Sequence, residues 1–357
     1  MASGRAEQAG YQALLEELHE RYQGLSEGRV ADYIPELAKA QPSWFGIALA
    51  TVEGDLYQVG DYAQPFTLQS IGKPFSYGLA LEDNGREEVL RRVGVEPTGD
   101  VFNSIIKLDL ATKRPHNPMV NAGAIAVASL LGGGDPSTRL GRALEMFSRY
   151  AGRELFVDVP VFVSERVTGH RNRAIAHLML NFGMLQGNVE ETLDLYFQLC
   201  AVRASCSDLA LMGATLANGG QNPRTGVQAL DPSYLRDLLT VMFTTGLYDY
   251  AGQWAYEVGM PAKSGVSGGL VAVAPGRLAV AVFSPPLDSH GNSLRALRVC
   301  AELSERLGLH VFGGASQAPR RAKGSSEAAP GGAARGAAKS GKSGKSARAS
   351  RKGSRPR

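Results

Sequence analysis

Two short strings in this chain carry side chains able to do acyl-transfer chemistry, and they lie far apart in sequence. Ser70-Ile71-Gly72-Lys73 sets a hydroxyl and an amine three residues apart; Lys263-Ser264-Gly265, inside PAKSGVSGGLVAVA, sets a second lysine beside a glycine-rich turn. Residues i and i+3 share one face of a helix. A serine hydroxyl is a poor nucleophile near neutral pH and needs a base within reach. A lysine is a base only when it is partly deprotonated. Burial and a neighbouring like charge both lower its pKa, by up to roughly 3–5 units at full burial. Lys73 therefore reads as the base for Ser70, and Lys263 as the like charge that helps to neutralise it. The oxyanion of the tetrahedral intermediate needs two donors, and the Ser70 amide with an amide of the Gly265-Val266 edge is the natural pair. Such a site attacks an amide carbonyl with neither histidine nor metal.

Other matches to the same patterns have the wrong surroundings. Ser104 to Lys107 repeats the serine–lysine spacing, but VFNSIIKLDL reads as an extended piece, where i and i+3 point to opposite faces. The Lys-Ser-Gly repeats at Lys339 and Lys342 have no apolar strand beside them. Gly336 to Ser343 fits the P-loop letters but lacks the strand before and the helix after. Gly265 to Gly269 fits the nucleophile elbow around Ser267, with Asp288 and His290 downstream. An elbow must run from strand into helix, and LVAVA reads as another strand. The six histidines offer no metal spacing; His170 and His177 stand two helical turns apart.

The elements that must position these residues read as follows. MASGRAEQAGYQALLEELHERY is an amphipathic helix with Leu14, Leu15, Leu18 and Tyr22 near one face. WFGIALATVEGDLYQVGD gives two strands joined at Glu53-Gly54-Asp55. Ser70 opens a helix that stops at Asn84-Gly85, followed by a charged helix near Arg86 to Val93. AGAIAVASLLGGG is a helix of small residues, and Pro136 opens the next one, to about Tyr150. Helical spacing then recurs over residues 164–183, 189–203, 207–218 and 231–243, with Ser207-Asp208 as an N-cap. Gly265 to Ala274 and Leu278 to Ser284 form a hairpin joined at Pro275-Gly276, and Ser289 to Leu307 returns to helix. A sheet built from both ends of the chain with helices inserted between them is an α+β fold with an all-helical subdomain.

Composition divides the chain. The formal net charge is +4, but residues 316–357 hold 12 Lys and Arg and one acid, Glu327, so the tail carries +11 and the body −7. The expected organisation is an N-terminal helix over residues 1–24, a catalytic domain over 25–312 and a disordered basic tail over 313–357. The tail solubilises, or touches a polyanion weakly and salt-sensitively. The three cysteines, Cys200, Cys206 and Cys300, show no metal spacing and read as free thiols. There is no apolar leader and no membrane-length run, which points to the cytoplasm.

Six strings in order, LQSIGKPF, NPMVNAGAI, SERVTGHRNRAIAHLM, LDLYFQLC, FTTGLYDYAG and PAKSGVSGG, resemble the serine-dependent glutaminases, relatives of β-lactamases and penicillin-binding proteins. The resemblance spans about residues 25–310 and implies a β-lactamase-like fold that hydrolyses L-glutamine to L-glutamate and ammonia, with no cofactor, as a homodimer or homotetramer. It implies Ser70 as the acylated nucleophile and Lys73 as its base. Asn121, Glu165, Asn172 and Tyr196 match substrate-binding positions, Tyr248 a tyrosine beside the nucleophile, and Val266 the backbone oxyanion donor. Glutamine's ammonium needs a buried countercharge, which Glu165 would supply. The chain departs from the pattern at Gly72, where a second serine is expected. Two other readings stay open: a β-lactam-recognising acyl-serine hydrolase, and a non-catalytic protein that binds a ligand or nucleic acid through the tail.

Overall fold

The structure, a computed structural model, describes the backbone of residues 2–98 and 114–313, with side chains from Gly10 onward in those ranges. The extended piece expected around Ser104 and Lys107 and the basic tail lie outside the described residues. Helix α1 (Ala2–Tyr22) precedes strands β1 (Gly46–Thr51) and β2 (Leu56–Gly60). Strand β3 (Phe66–Thr67) leads through a 3-10 turn, Gln69–Gly72, into α2 (Lys73–Arg92). There follow α3 (Asn121–Leu130), α4 (Pro136–Ala151), α5 (Val159–Thr168), α6 (His170–Asn181) and α7 (Val189–Cys200). The chain continues through β4 (Arg203–Ala204), α8 (Cys206–Ala217), α9 (Leu235–Thr245) and α10 (Ala251–Glu257). It ends with β5 (Ala262–Ser264), β6 (Gly269–Ala274), β7 (Leu278–Phe283) and α11 (Leu294–Leu307).

The main sheet is antiparallel throughout, in the order β2-β1-β7-β6-β5. It joins the two chain ends by pairing Gly46 with Phe283 and Thr51 with Leu278. The two faces alternate with period two. Ile47, Leu49, Val280 and Val282 pack with α1 and α11 on one side. Ala48, Ala50, Ala279 and Ala281 pack with α8 and the helical region on the other. The small residues on this second face let α8 come close. A Cβ at Gly213 would sit 2.7 Å from both the Ala279 Cβ and the Val271 Cγ2. Residues Lys73 to Leu81 of α2 are buried without a break, as for a helix enclosed on every side. No helix among the described residues is long and apolar enough to cross a membrane.

The elements and the hairpin at Pro275-Gly276 follow the sequence pattern, and several boundaries move. Ser70 lies in the 3-10 turn and α2 opens at Lys73; the helical run breaks at Gly85, as expected, where φ is 76° and ψ 161°, and a second helical segment continues to Arg92. The 164–183 helix is two helices broken at Gly169. The cap of α8 is Ser205 rather than Ser207. Its hydroxyl accepts from the Asp208 N–H while the Asp208 carboxylate accepts from the Ser205 N–H, which closes a capping box. The last helix starts at Leu294, because Asp288 to Asn292 closes on itself as a turn, the Asp288 N–H donating to the Asn292 carbonyl. Ser267 sits in a turn followed by strand β6, so no nucleophile elbow forms there.

The contact of α8 with the sheet yields a prediction. Gly213→Ala forces extra volume against β6 and β7 and costs about 1–3 kcal/mol. The urea midpoint falls while the m-value is unchanged. An unaltered midpoint contradicts this packing.

Candidate active site

The 3-10 turn carrying Ser70 is held from two sides. The Leu68 N–H donates to the Val202 carbonyl at 2.8 Å, and β3 pairs with β4. From the other side the β5–β6 turn lies against it: a Cβ at Gly265 would stand 2.8 Å from the Leu68 carbonyl oxygen and 3.0 Å from Ile71. Glycine at 265 is what allows this approach. Gln69, immediately before Ser70, has φ 51°, and Tyr248 has φ 57°. Left-handed backbone at non-glycine residues costs on the order of 1 kcal/mol or more each and concentrates at functional sites.

Lys73 opens α2 and is 4% exposed. Its Nζ donates to the Asn121 Oδ1 at 2.7 Å and to the Met119 carbonyl at 3.2 Å. Asn117 shapes that second acceptor, because its Oδ1 accepts from the N–H groups of Met119 and Val120 and turns the chain into α3. Burial lowers the Lys73 pKa from a lysine's usual 10.5 to about 8, with Cys200 and Glu165 opposing. Asn121 also donates from Nδ2 to the Asn172 Oδ1 at 3.1 Å, which ties α3 to α6.

Lys263 is fully buried on β5. Its Nζ donates to the Gly246 carbonyl at 2.8 Å and to the Ser264 carbonyl at 2.7 Å. It lies 4.3 Å from the centroid of the Tyr248 ring. Burial first, then the charge of Lys73, holds its pKa well below the lysine range. A neutral amine has two N–H bonds, and the two carbonyls use both. Tyr248 connects this lysine to the serine: its hydroxyl is hydrogen-bonded to Ser70 and donates to the Ser264 carbonyl at 3.4 Å. Burial raises the phenol to about 12.

A cavity of about 350 Å³ adjoins these groups, lined in part by Tyr33, Asn121, Glu165, Arg171 and Asn172. Glu165 is buried; its Oε1 accepts from the Gln69 Nε2 at 2.5 Å, and burial raises its pKa to about 8 against the pull of Lys73. Arg166 pairs with Asp194 instead of with Glu165. Tyr196 is buried on α7 beside Cys200, to which it hydrogen-bonds, and burial raises both groups. Val266 lies in the β5–β6 turn, and among the described residues its N–H finds no backbone acceptor.

Asn121, Glu165 and Asn172 thus line the cavity, Asn121 accepts from the buried Lys73 amine, and the Tyr248 hydroxyl, hydrogen-bonded to Ser70, has the Lys263 amine against its ring. Three nearby groups were given no role in the sequence reading: Gln69, Asn117 and Tyr33. Only Asn117 had a local signal, the Asn-Pro pair that starts a turn. Cys200, Cys206 and Cys300 are all free and buried. No group of three or more His, Cys, Asp or Glu able to hold a metal ion occurs among the described residues.

The family model described as Glutaminase matches residues 28–312. A glutaminase of Trichormus variabilis is 63% identical over 299 residues, covering 84% of this chain and 89% of that protein. A solved structure of Mglu in its glutamate form superposes with a TM-score of 0.81 at 44% identity, covering 85% of this chain and 70% of that one. A probable glutaminase from Bacillus subtilis complexed with 6-diazo-5-oxo-L-norleucine gives 0.78 at 33% identity, covering 84% and 96%. With the family model matched across the catalytic body and relatives this similar along most of their length, the chain belongs to the glutaminase family.

Proposed function

We propose that this chain hydrolyses L-glutamine to L-glutamate and ammonia through a glutamyl-serine intermediate on Ser70. The observation that carries the reading is the Lys73 amine, buried without a paired carboxylate three residues after a serine that Tyr248 hydrogen-bonds. Neutral Lys73 takes the Ser70 proton as Oγ attacks the side-chain carbonyl of glutamine. The Asn121 Oδ1 and the Met119 carbonyl then solvate the new ammonium. The Val266 and Ser70 N–H groups receive the oxyanion; losing one such donor typically costs roughly 3–4 kcal/mol of transition-state stabilisation. The Tyr248 hydroxyl gives the departing amide nitrogen its proton, and ammonia leaves. The proton Lys73 took replaces the one Tyr248 gave up, which restores both; water then attacks the ester, Lys73 takes its proton and passes it to the departing Ser70 Oγ, and glutamate is released. Lys263 keeps Tyr248 in place and stays neutral.

Glu165 receives the substrate ammonium, and Asn172 and Tyr196 complete the polar lining. A relative solved in its glutamate form and another complexed with 6-diazo-5-oxo-L-norleucine fit a pocket for an amino acid of this length. The glutaminase relatives lend no support to β-lactam recognition or to a purely tail-borne binding function. Buried free thiols suit a reducing compartment, which supports a cytoplasmic enzyme. We carry over a homodimer or homotetramer, and weak polyanion contact by the tail, as proposals from the sequence. The division into 1–24, 25–312 and 313–357 is proposed likewise.

Ser70→Ala removes ammonia release, leaves the thermal midpoint within a few degrees of the parent, and removes the covalent adduct of 6-diazo-5-oxo-L-norleucine read by mass spectrometry. Retained turnover or an adduct elsewhere overturns the assignment of the nucleophile.

The raised pKa of Glu165 makes binding proton-linked. Below about 8 the empty site holds this carboxyl protonated. An ammonium beside it favours the carboxylate, so glutamine binding near neutral pH releases a proton, and affinity weakens as pH falls. Calorimetry of glutamine with Ser70→Ala in buffers of different ionisation enthalpy reads this directly. Binding heat independent of the buffer, with affinity flat between pH 6 and 8, refutes the ammonium role.

A further inference from the structure

We infer that His290 and Asp249 act together as positioning residues for Tyr248, locking the turn that presents its hydroxyl to Ser70. The inference rests on the proposed role of that hydroxyl. Tyr248 is held at φ 57°, a conformation its own backbone disfavours, so something outside the residue must hold it there. The next residue supplies the hold: the Asp249 Oδ2 lies 2.9 Å from the His290 Nδ1, which donates to it. The Tyr250 ring packs against the same imidazole, with centroids 5.7 Å apart.

His290 is itself fixed. The Asp288 Oδ1 accepts from the N–H groups of His290 and Asn292, each at 2.9 Å, and Gly291 closes the turn at φ 83°. Asn292, fully buried, then reaches the opposite arm of the site, its Oδ1 accepting from the Ser264 Oγ at 2.5 Å. Ser264 is the residue whose carbonyl receives both the Tyr248 hydroxyl and the Lys263 amine. The loop from Asp288 to Asn292 thus spans the two arms that meet at Tyr248. His290 grips the backbone end of the tyrosine, and Asn292 grips the acceptor at its hydroxyl end. Neither His290 nor Asp249 lines the cavity of about 350 Å³, so their effect reaches the chemistry only through the tyrosine.

The test uses the full chain. His290→Ala lowers kcat roughly tenfold with KM within about twofold, because a reacting group is misplaced while substrate binding is untouched. His290→Asn, which keeps an N–H near the Nδ1 position, recovers most of the loss. In a Tyr248→Phe background His290→Ala adds nothing further. Amide hydrogen exchange over residues 246–250 speeds up in His290→Ala and is restored in His290→Asn. Unchanged kcat with unchanged exchange overturns the inference, as does an equal loss in the parent and Tyr248→Phe backgrounds. If Tyr248→Phe alone keeps full turnover, the role given to its hydroxyl fails, while the exchange rates still decide whether the pair locks the turn.

Discussion

The site depends on the burial of two amines with no carboxylate paired to either. An ammonium removed from water is expensive, and the cheapest response is to lose the proton. Lys263 does so, its hydrogens taken by the Gly246 and Ser264 carbonyls. Lys73 goes part of the way, to about 8, burial lowering it while Cys200 and Glu165 oppose; Asn121 and the Met119 carbonyl accept its N–H bonds. A lysine ion-paired to a buried carboxylate would be held protonated and useless as a base. Glu165 avoids that outcome: burial keeps it protonated in the empty site, and it gives its Oε1 to Gln69. Glu165 therefore takes up its charge when substrate brings an ammonium to it.

The fold explains how amines from opposite ends of the sequence come to share a pocket. Lys73 begins a helix enclosed on every side, and Lys263 lies on a sheet-edge strand that the β1–β7 pairing brings back to the chain's beginning. Gly265 and the small residues facing α8 let these layers close to contact distance. Rigidity at the site comes from the same layers, and the strained Gln69 and Tyr248 backbones are affordable only because those layers are firm.

Much of this was legible in the sequence, for physical reasons. The strands of the sheet alternate apolar residues and small residues, so their period and the hairpin at Pro275-Gly276 could be read directly. Ser70, Lys73 and Lys263 were readable because their types and spacings are few and the chemistry demands them. Tertiary contacts set what the sequence hid. Ser205 caps α8 in place of Ser207 through an exchange with Asp208 that letters alone do not rank. Gln69 and Tyr33 carry no motif and matter only through what folds over them.

The most direct measurement of the central claim is the pH dependence of the rate at which 6-diazo-5-oxo-L-norleucine forms its covalent adduct with Ser70, followed by mass spectrometry from pH 6 to 10. Neutral Lys73 is the base, and its neutral fraction grows as pH rises through about 8. The account predicts a rate that climbs with a midpoint near that value and a limb that disappears in Lys73→Met. A rate flat across the range, or the same limb surviving in Lys73→Met, contradicts it.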